Sequence, residues 1–446
     1  MKKNSRHSNT IIGYSIALVA GIIVGLRIST QFTAVPYVLL SIACIYFTFQ
    51  SNVGMILSLL PYLIYTEIFI RAYVPAIPYL FIQYLFIAIF GVLIVRRGGK
   101  VKLYSRTFVF LFLFMLIELI NSTRSDAPDI ARALVINDLV VVIMAMWSCL
   151  NFITPVLANK ILNNIKYASI YLCGIVVARY LLGDVQFSAH SASEGINGLA
   201  PVQLSAYLGF SCFVFFLSIM SDQERKNLIL NIMLLALTSI IMLLSFSRGG
   251  LYFLGIMMIL YFFFNRSQLK SYFLFLLLIP VGLLISNYVT DKTNGLIVQR
   301  YEQEGTSGRN LLIEAGWTLF KSNPLAGIGT GNFNNAVKKF GLYGVESGAH
   351  NEFIRVAAED GILGIVSYGL FYILLFYEIL RRNKIQREYA IYFLLFFCLI
   401  NVHNGLKISL QPLILMLSVA THTFIRVKKK KDVSISKNLA IRFDEN

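Results

Sequence analysis

The chain has 446 residues, 57% of them hydrophobic and 14% charged, with a mean hydropathy of +0.70, whereas soluble chains carry about a quarter charged residues. This composition describes an integral membrane protein and excludes fibrous, disordered and nucleic-acid-binding classes. The 39 Lys+Arg against 22 Asp+Glu, net +17, therefore matter through where they fall along the chain. The five cysteines, Cys44, Cys149, Cys173, Cys212 and Cys398, stand singly in apolar runs without CxxC spacing, so neither a zinc site nor a disulfide framework is expected.

A hydrocarbon core about 30 Å thick needs roughly 20 apolar residues per helix. In chain order, apolar runs lie near residues 11–26, 34–50, 53–70, 75–95, 107–120, 134–157, 167–182, 200–219, 228–246, 249–264, 272–290, 361–380, 389–406 and 408–426. They predict an all-α polytopic fold of about 12 to 14 transmembrane helices, with room for a re-entrant element between 121 and 157. The first run follows Lys2, Lys3 and Arg6 like a signal peptide, but no small-residue cleavage site is followed by a soluble mature protein, so it reads as the first span. The expected layout is a transmembrane bundle over 1–290, one large extracytoplasmic loop with short helices over 291–360, and further transmembrane helices with a basic tail over 361–446.

Orientation follows from the short loops. With the N-terminus in the cytoplasm, the clusters at Lys2/Lys3/Arg6, Arg96/Arg97/Lys100/Lys102/Arg106, Lys160/Lys166, Arg225/Lys226, Arg266/Lys270, Arg381/Arg382/Lys384/Arg387 and the tail from Arg426 to Arg442 fall on one side. The positive-inside rule then places both termini in the cytoplasm and the long loop outside. Lysines 428–431 read as a plain anchor of this kind.

Ionisable residues in or near spans are costly to bury and mark function when they are buried. Glu67 and Glu118 are expected at the outer interface, in water, and Asp138 is expected to pair with Arg132; Arg179 is a further charge near a span end. Arg248 lies in Ser245-Phe246-Ser247-Arg248-Gly249-Gly250, a junction between two apolar runs. Its position admits a snorkelling interfacial arginine or an anion contact, with the two glycines allowing close approach of a ligand.

In the long loop, residues 309–320 place apolar side chains at helical spacing after Ser307-Gly308, and Asn323-Pro324-Leu325 stops the helix. Gly327-Ile328-Gly329-Thr330-Gly331 follows. It lacks the strand and the Gly-Lys-Ser/Thr ending of a nucleotide loop and reads as a glycine-rich turn. Phe353, Val356 and Ala357 then recur at helical spacing, which puts His350 at a helix start, where the helix N-terminus disfavours imidazolium and leaves a ring able to accept a proton. His190 and the His403-Asn404 pair are weaker outer candidates.

Taken together, Ser247-Arg248-Gly249, Gly308-Arg309 leading to Asn323-Pro324-Leu325-Ala326-Gly327-Ile328-Gly329, and His350-Asn351 followed nine residues later by Gly361 resemble the O-antigen ligase and polysaccharide polymerase family over roughly residues 200–380. The resemblance implies a GT-C-like membrane glycosyltransferase that moves glycan from undecaprenyl diphosphate to a hydroxyl acceptor at the outer face of the bacterial cytoplasmic membrane. The acceptor would be another glycan for a polymerase or lipid A core oligosaccharide for a ligase. Arg248 and Arg309 match the family's diphosphate-holding arginines and His350 its essential histidine; Asn351 and Gly361 complete the motif without an assigned role.

The chemistry needs a base for the acceptor proton and positive charge for the departing diphosphate. The outer loop offers no Asp-x-Asp and no clustered carboxylates, so a reaction without metal or cofactor is expected. The rival class, a transporter or lipid-linked sugar flippase, predicts an internal repeat and charges along a central path; no repeat is found.

Overall fold

The computed structural model describes residues 2–26, 30–96, 106–151, 153–183, 201–221, 225–266, 269–303, 308–342, 347–382, 384–403 and 408–420. His190, Asn404 and the basic tail lie outside them. Among the described residues there are seventeen α-helices and no strand. They are α1 (Lys2–Leu26), α2 (Thr30–Phe49), α3 (Val53–Tyr73), α4 (Phe81–Arg96), α5 (Arg106–Ser122), α6 (Pro128–Leu150), α7 (Pro155–Leu181), α8 (Pro201–Ser221), α9 (Arg225–Leu244), α10 (Gly249–Asn265), α11 (Leu269–Lys292), α12 (Leu296–Gln303), α13 (Arg309–Ser322), α14 (Phe333–Lys339), α15 (Glu352–Leu380), α16 (Lys384–His403) and α17 (Leu410–Val419).

Within the described residues, every apolar run of the sequence overlaps at least one of these helices. Six are long and apolar enough to cross a membrane and several shorter ones are apolar throughout, so the protein is an all-α, multi-pass membrane protein. With lipid tails as apolar as leucine, such helices associate through close packing rather than hydrophobic exclusion. Small residues supply it where α1 crosses α7: a Cβ on Gly21 would fall 2.1 Å from the carbonyl oxygen of Tyr171, and one on Gly174 would fall 2.4 Å from that of Leu18. At the centre, α8 is wrapped on all sides. Its Phe210, Phe213 and Phe216 are fully buried, and they meet Phe393 and Phe396 of α16 and Tyr261 of α10 edge-on or stacked.

The helix boundaries differ from expectation in two places. The run expected over 134–157 is α6 ending at Leu150 and a separate α7, whose first turn is capped by Thr154 (Leu157 N donates to Oγ1, 3.3 Å) with Pro155 beside it. Buried Ile153 keeps hydropathy high across this break. Between 121 and 150 there is a short connection and one continuous helix rather than a re-entrant element. Helix α15 starts at Glu352, as the helical spacing after His350 predicts, but runs on past Gly361 into the apolar run at 361–380; its first turns carry Arg355, Glu359 and Asp360, which are buried.

The charges explain why. Glu67 and Glu118 are not in water at an interface: both are buried, at 2% and 0% exposure. Glu67 pairs with Arg71 (2.5 Å) and accepts from Tyr207, Gln83 and Ser409. Glu118 of α5 pairs with Arg355 of α15, which also holds Glu352 and Glu359, each at 2.6 Å. Asp138 does not pair with Arg132, whose partner is exposed Asp129 (2.5 Å). Burying a carboxylate unpaired is prohibitive, whereas several that share a guanidinium with hydrogen bonds are tolerated.

Candidate active site

Three segments build one end of the bundle. The first is the tight turn between α9 and α10. Phe246 adopts a left-handed conformation (φ 55°) that a bulky side chain tolerates only under compensation. Its ring is fully buried with Ile285 and Val289 of α11 and Ile297 of α12. Ser205 of α8 locks the other side, its Oγ donating to the Ser247 carbonyl (3.1 Å) and accepting from Gly250 N (2.9 Å). Arg248 is thereby fixed at the N-cap of α10 without a side-chain cap. The adjoining glycine serves the fold rather than a ligand: a Cβ on Gly250 would meet the Ser205 carbonyl at 2.3 Å.

The second segment is α13. Gly308 turns into it with φ 73°, and no side chain caps its first turn, leaving N–H groups and the positive end of the helix dipole directed outward. Arg309 is the first residue of this helix. A cation there adds to the dipole, an arrangement that favours an anion. Burial and the charge of Arg248 both lower the Arg309 pKa from its ordinary value, so the two guanidinium groups stand within electrostatic reach of each other. Among the described residues Arg309 forms no ion pair. Its close polar contact among them is with the ring of His403, at the end of α16, Nη1 lying 2.7 Å from Nδ1 and 2.8 Å from Nε2.

The third segment is the start of α15. His350 has φ 49°, a sparsely populated conformation that persists where surrounding structure enforces it. Ala349 before it is buried in a small core with Leu312, Leu319, Phe333, Val337 and Ile354. Asn351 after it is the N-cap of α15, its Oδ1 accepting from Phe353 N (3.0 Å) and Ile354 N (3.3 Å). Burial first, and the nearby Arg309 charge second, push the His350 pKa below 6.5. The shift favours the neutral ring, which makes no hydrogen bond to any described residue.

The glycine run and Gly361 hold this corner together. Gly361 breaks α15 with φ 65° and ψ −157°, and a Cβ there would fall 2.5 Å from the Leu325 carbonyl oxygen. Into the opened turn dock Ile362 N to Pro324 O (2.8 Å), Ile328 N to Ala358 O (3.0 Å) and Gly329 N to Glu359 O (3.0 Å). Glu359 also accepts from Phe333 N (2.9 Å), Asp360 accepts from Thr330 (2.8 Å) and Asn121 (3.1 Å), and Arg124 donates to Gly327 O (3.0 Å). The run is a packing turn, as its sequence suggests, and the spacing from Asn351 to Gly361 is the length of one capped helical piece.

The structure thus brings Arg248, Arg309 and His350 to one place, although they are spread over a hundred residues. It adds His403, within electrostatic reach of all three and packed edge-on against Tyr252 (6.1 Å) and Phe253 (5.5 Å) of α10. Nothing in the sequence around a lone histidine at a span end signals that contact. For a metal, the described residues with suitable spacing are Glu118, Asp138 and Glu352, whose ligand atoms lie within 4.8 Å of one another. Arg355 Nη2 already bridges Glu118 and Glu352 there, so this group is part of the buried ion-pair network.

No curated protein matches the chain. A protein-family model described as O-Antigen ligase matches residues 233–369, a span that runs from α9 through the Arg248 turn, Arg309 and His350 to beyond the Gly361 break. The match over this part of the chain supports O-antigen ligase family membership and, in general terms, a polysaccharide ligase- or polymerase-type role.

Proposed function

We propose that the protein transfers glycan from a polyprenyl diphosphate carrier, undecaprenyl diphosphate in bacteria, to a hydroxyl acceptor at the outer face of the cytoplasmic membrane, with residues 291–360 outside and both termini in the cytoplasm. The observation that carries this reading is the pairing of two unlike functions in one corner. Arg309, uncompensated by any described carboxylate and beside Arg248, is suited to a diphosphate; His350, neutral and open, is suited to a proton.

In the proposed reaction, Arg248 and Arg309 hold the diphosphate oxygens through forked, charge-assisted hydrogen bonds. A His350 ring nitrogen takes the acceptor hydroxyl proton as the acceptor oxygen bonds to the anomeric carbon. The bond from that carbon to the diphosphate oxygen breaks, and its electron pair leaves on the diphosphate, where the guanidinium charges stabilise it. The two fixed cations do for the leaving group what a divalent ion does elsewhere, so the reaction proceeds without metal or cofactor. Asn351 and Gly361 set the position of His350 and do not contact substrate.

The test is transfer by the purified protein in detergent, with lipid diphosphate-linked glycan as donor and each acceptor class, lipid-linked repeat or lipid A core, offered separately in the presence of EDTA. New glycosidic product with one acceptor supports the reading and assigns polymerase or ligase. Movement of intact donor across reconstituted vesicles without new linkage would replace it with a flippase.

A further inference from the structure

Helix α13 carries more than Arg309 on its exposed side. Ile313 and Trp317 follow at four-residue steps and Phe320 nearly one turn further, so the four share one face, next to the face that packs Gly316 against Ile354 of α15. Of the chain's two tryptophans, Trp147 is buried at 2% exposure and Trp317 is 47% exposed. Phe320 braces the indole, with ring centroids 5.6 Å apart and planes at 79°. Glu314 and Lys321, about a turn to either side of Trp317, are exposed too. Charges interleaved with an aromatic face suit an amphipathic, hydroxyl-bearing ligand and would be costly in lipid.

The course of the chain fixes which way this face leads. Arg248 stands where α9 meets α10, and these helices have 20 and 17 residues, no more than a bilayer core requires. Arg248 and the neighbouring Arg309 therefore lie at the membrane surface. Helix α15 folds back at Gly361: the Phe353 ring packs 5.3 Å from Tyr368 and 5.4 Å from Tyr372, where a straight helix would set Phe353 and Tyr368 about 22 Å apart. Its first limb rises to Gly361 and its second descends as the span. Helix α13 runs beside the rising limb in the same direction, Gly316 against Ile354 and then Leu325 against Gly361. It climbs away from the bilayer with Arg309 at its foot and Trp317 about 12 Å further along its axis.

We propose that Trp317, braced by Phe320, is a stacking platform for the donor glycan, beyond the sugar that carries the diphosphate. This rests on the reading of Arg309 as a diphosphate ligand given above. Of the two groups that a carrier diphosphate joins, the prenyl chain enters the bilayer and the glycan leaves it, and α13 leads the second way. A sugar ring presents polarised C–H groups on its faces and hydroxyls at its rim. The electron-rich face of an indole suits the first, and Glu314 and Lys321 are placed for the second. Because Arg309 and Trp317 belong to one helix, the molecule held by the first is the one laid along the second, which assigns the platform to the donor.

The experiment measures binding of undecaprenyl diphosphate alone, with one sugar and with the complete glycan to wild type, Trp317→Ala, Trp317→Phe, Phe340→Ala and Arg309→Ala in detergent. Acceptor KM in the transfer reaction is measured alongside, and melting of each variant checks its folding. Trp317→Ala is expected to bind the complete-glycan carrier about tenfold more weakly and the bare and one-sugar carriers as wild type does. Trp317→Phe keeps a ring and should recover most of that loss. Phe340, 62% exposed at the end of α14, is the control, and its replacement should change nothing. Tryptophan emission should shift when the complete-glycan carrier binds wild type and stay constant when it binds Trp317→Phe. An equal loss for bare carrier in Trp317→Ala would give the ring to the prenyl chain or the membrane surface. A loss confined to acceptor KM would give it to the acceptor, and unchanged affinity for every carrier would leave it without a ligand; each of these overturns the proposal. Normal binding of bare carrier by Arg309→Ala would sink the diphosphate reading and the platform with it, a result that the Trp317 variants cannot produce.

Discussion

Arg355 of α15 and Glu118 of α5, 237 positions apart in sequence, form a fully buried ion pair between two helices of the bundle, and the same guanidinium holds Glu352 and Glu359. Since Glu359 also caps α14 through Phe333 N, this network fixes the segment that follows His350. Arg355→Met leaves three buried carboxylates without their cation and is expected to cost about 3–5 kcal/mol. Glu118→Gln, which leaves Arg355 two partners, should cost about 1–3 kcal/mol. Melting of the detergent-solubilised protein checks the order of the two; a mild Arg355→Met would mean the network is not a structural anchor.

Gly361→Ala puts a side chain into a backbone conformation reserved for glycine and against the Leu325 carbonyl. The strain alone is about 1–3 kcal/mol, and the docked Pro324–Gly329 segment must move. The expected outcome is loss of both melting temperature and transfer activity. Gly369→Ala lies in the same helix with open space around it and is expected to be neutral or slightly stabilising. Equal behaviour of the two variants would show that the break in α15 does not matter.

Much of the fold was legible because hydropathy reports spans directly, and the glycine turn and the helix at 309–322 were legible because local propensity decides them. The burial of Glu67 and Glu118 was not legible: Tyr207 and Ser409, which donate to Glu67, and Arg355, which pairs with Glu118, come from distant helices, and a lone carboxylate in an apolar run looks the same whether it snorkels or is paired. The start of α15 was legible in the spacing of Phe353, Val356 and Ala357, whereas the burial of its Arg355, Glu359 and Asp360 was hidden for the same reason. Of the site, Arg248, Arg309 and His350 stood out through their neighbours in sequence. His403 did not, since what singles it out is a contact across helices.

Asn351→Ala removes the cap of α15 and is expected to cost about 1 kcal/mol, with a larger relative loss of turnover because His350 is the residue just before it. Asn351→Asp retains an accepting oxygen and should restore both. Melting and kcat measured on the pair separate a capping role from a direct one: if Asp fails to rescue, the amide contacts substrate.

The pH profile carries a signed expectation. The His350 pKa is pushed below 6.5 by burial and by Arg309, so the free base is present at pH 7 and is lost as pH falls through that lowered value. The acid limb of kcat/KM should therefore have its midpoint below 6.5. Arg309→Ala removes one of the two causes and should move the midpoint upward toward 6.5, while burial keeps it from passing that value. An acid limb that stays put in Arg309→Ala would detach the titrating group from this corner.

The central claim, that Arg248, Arg309 and His350 form one site with divided labour, is tested most directly by measuring donor binding and single turnover on the same variants. Lipid diphosphate-linked glycan is titrated into wild type, Arg248→Ala, Arg309→Ala, Arg309→Lys and His350→Gln, and each saturated complex is mixed with acceptor. The arginine-to-alanine variants should each bind donor at least about tenfold more weakly, with lysine at 309 only partly restoring affinity because it lacks the fork. His350→Gln should bind donor normally and turn over about a hundred- to ten-thousandfold more slowly. Normal donor affinity in both arginine-to-alanine variants, or near wild-type turnover by His350→Gln, would contradict the account.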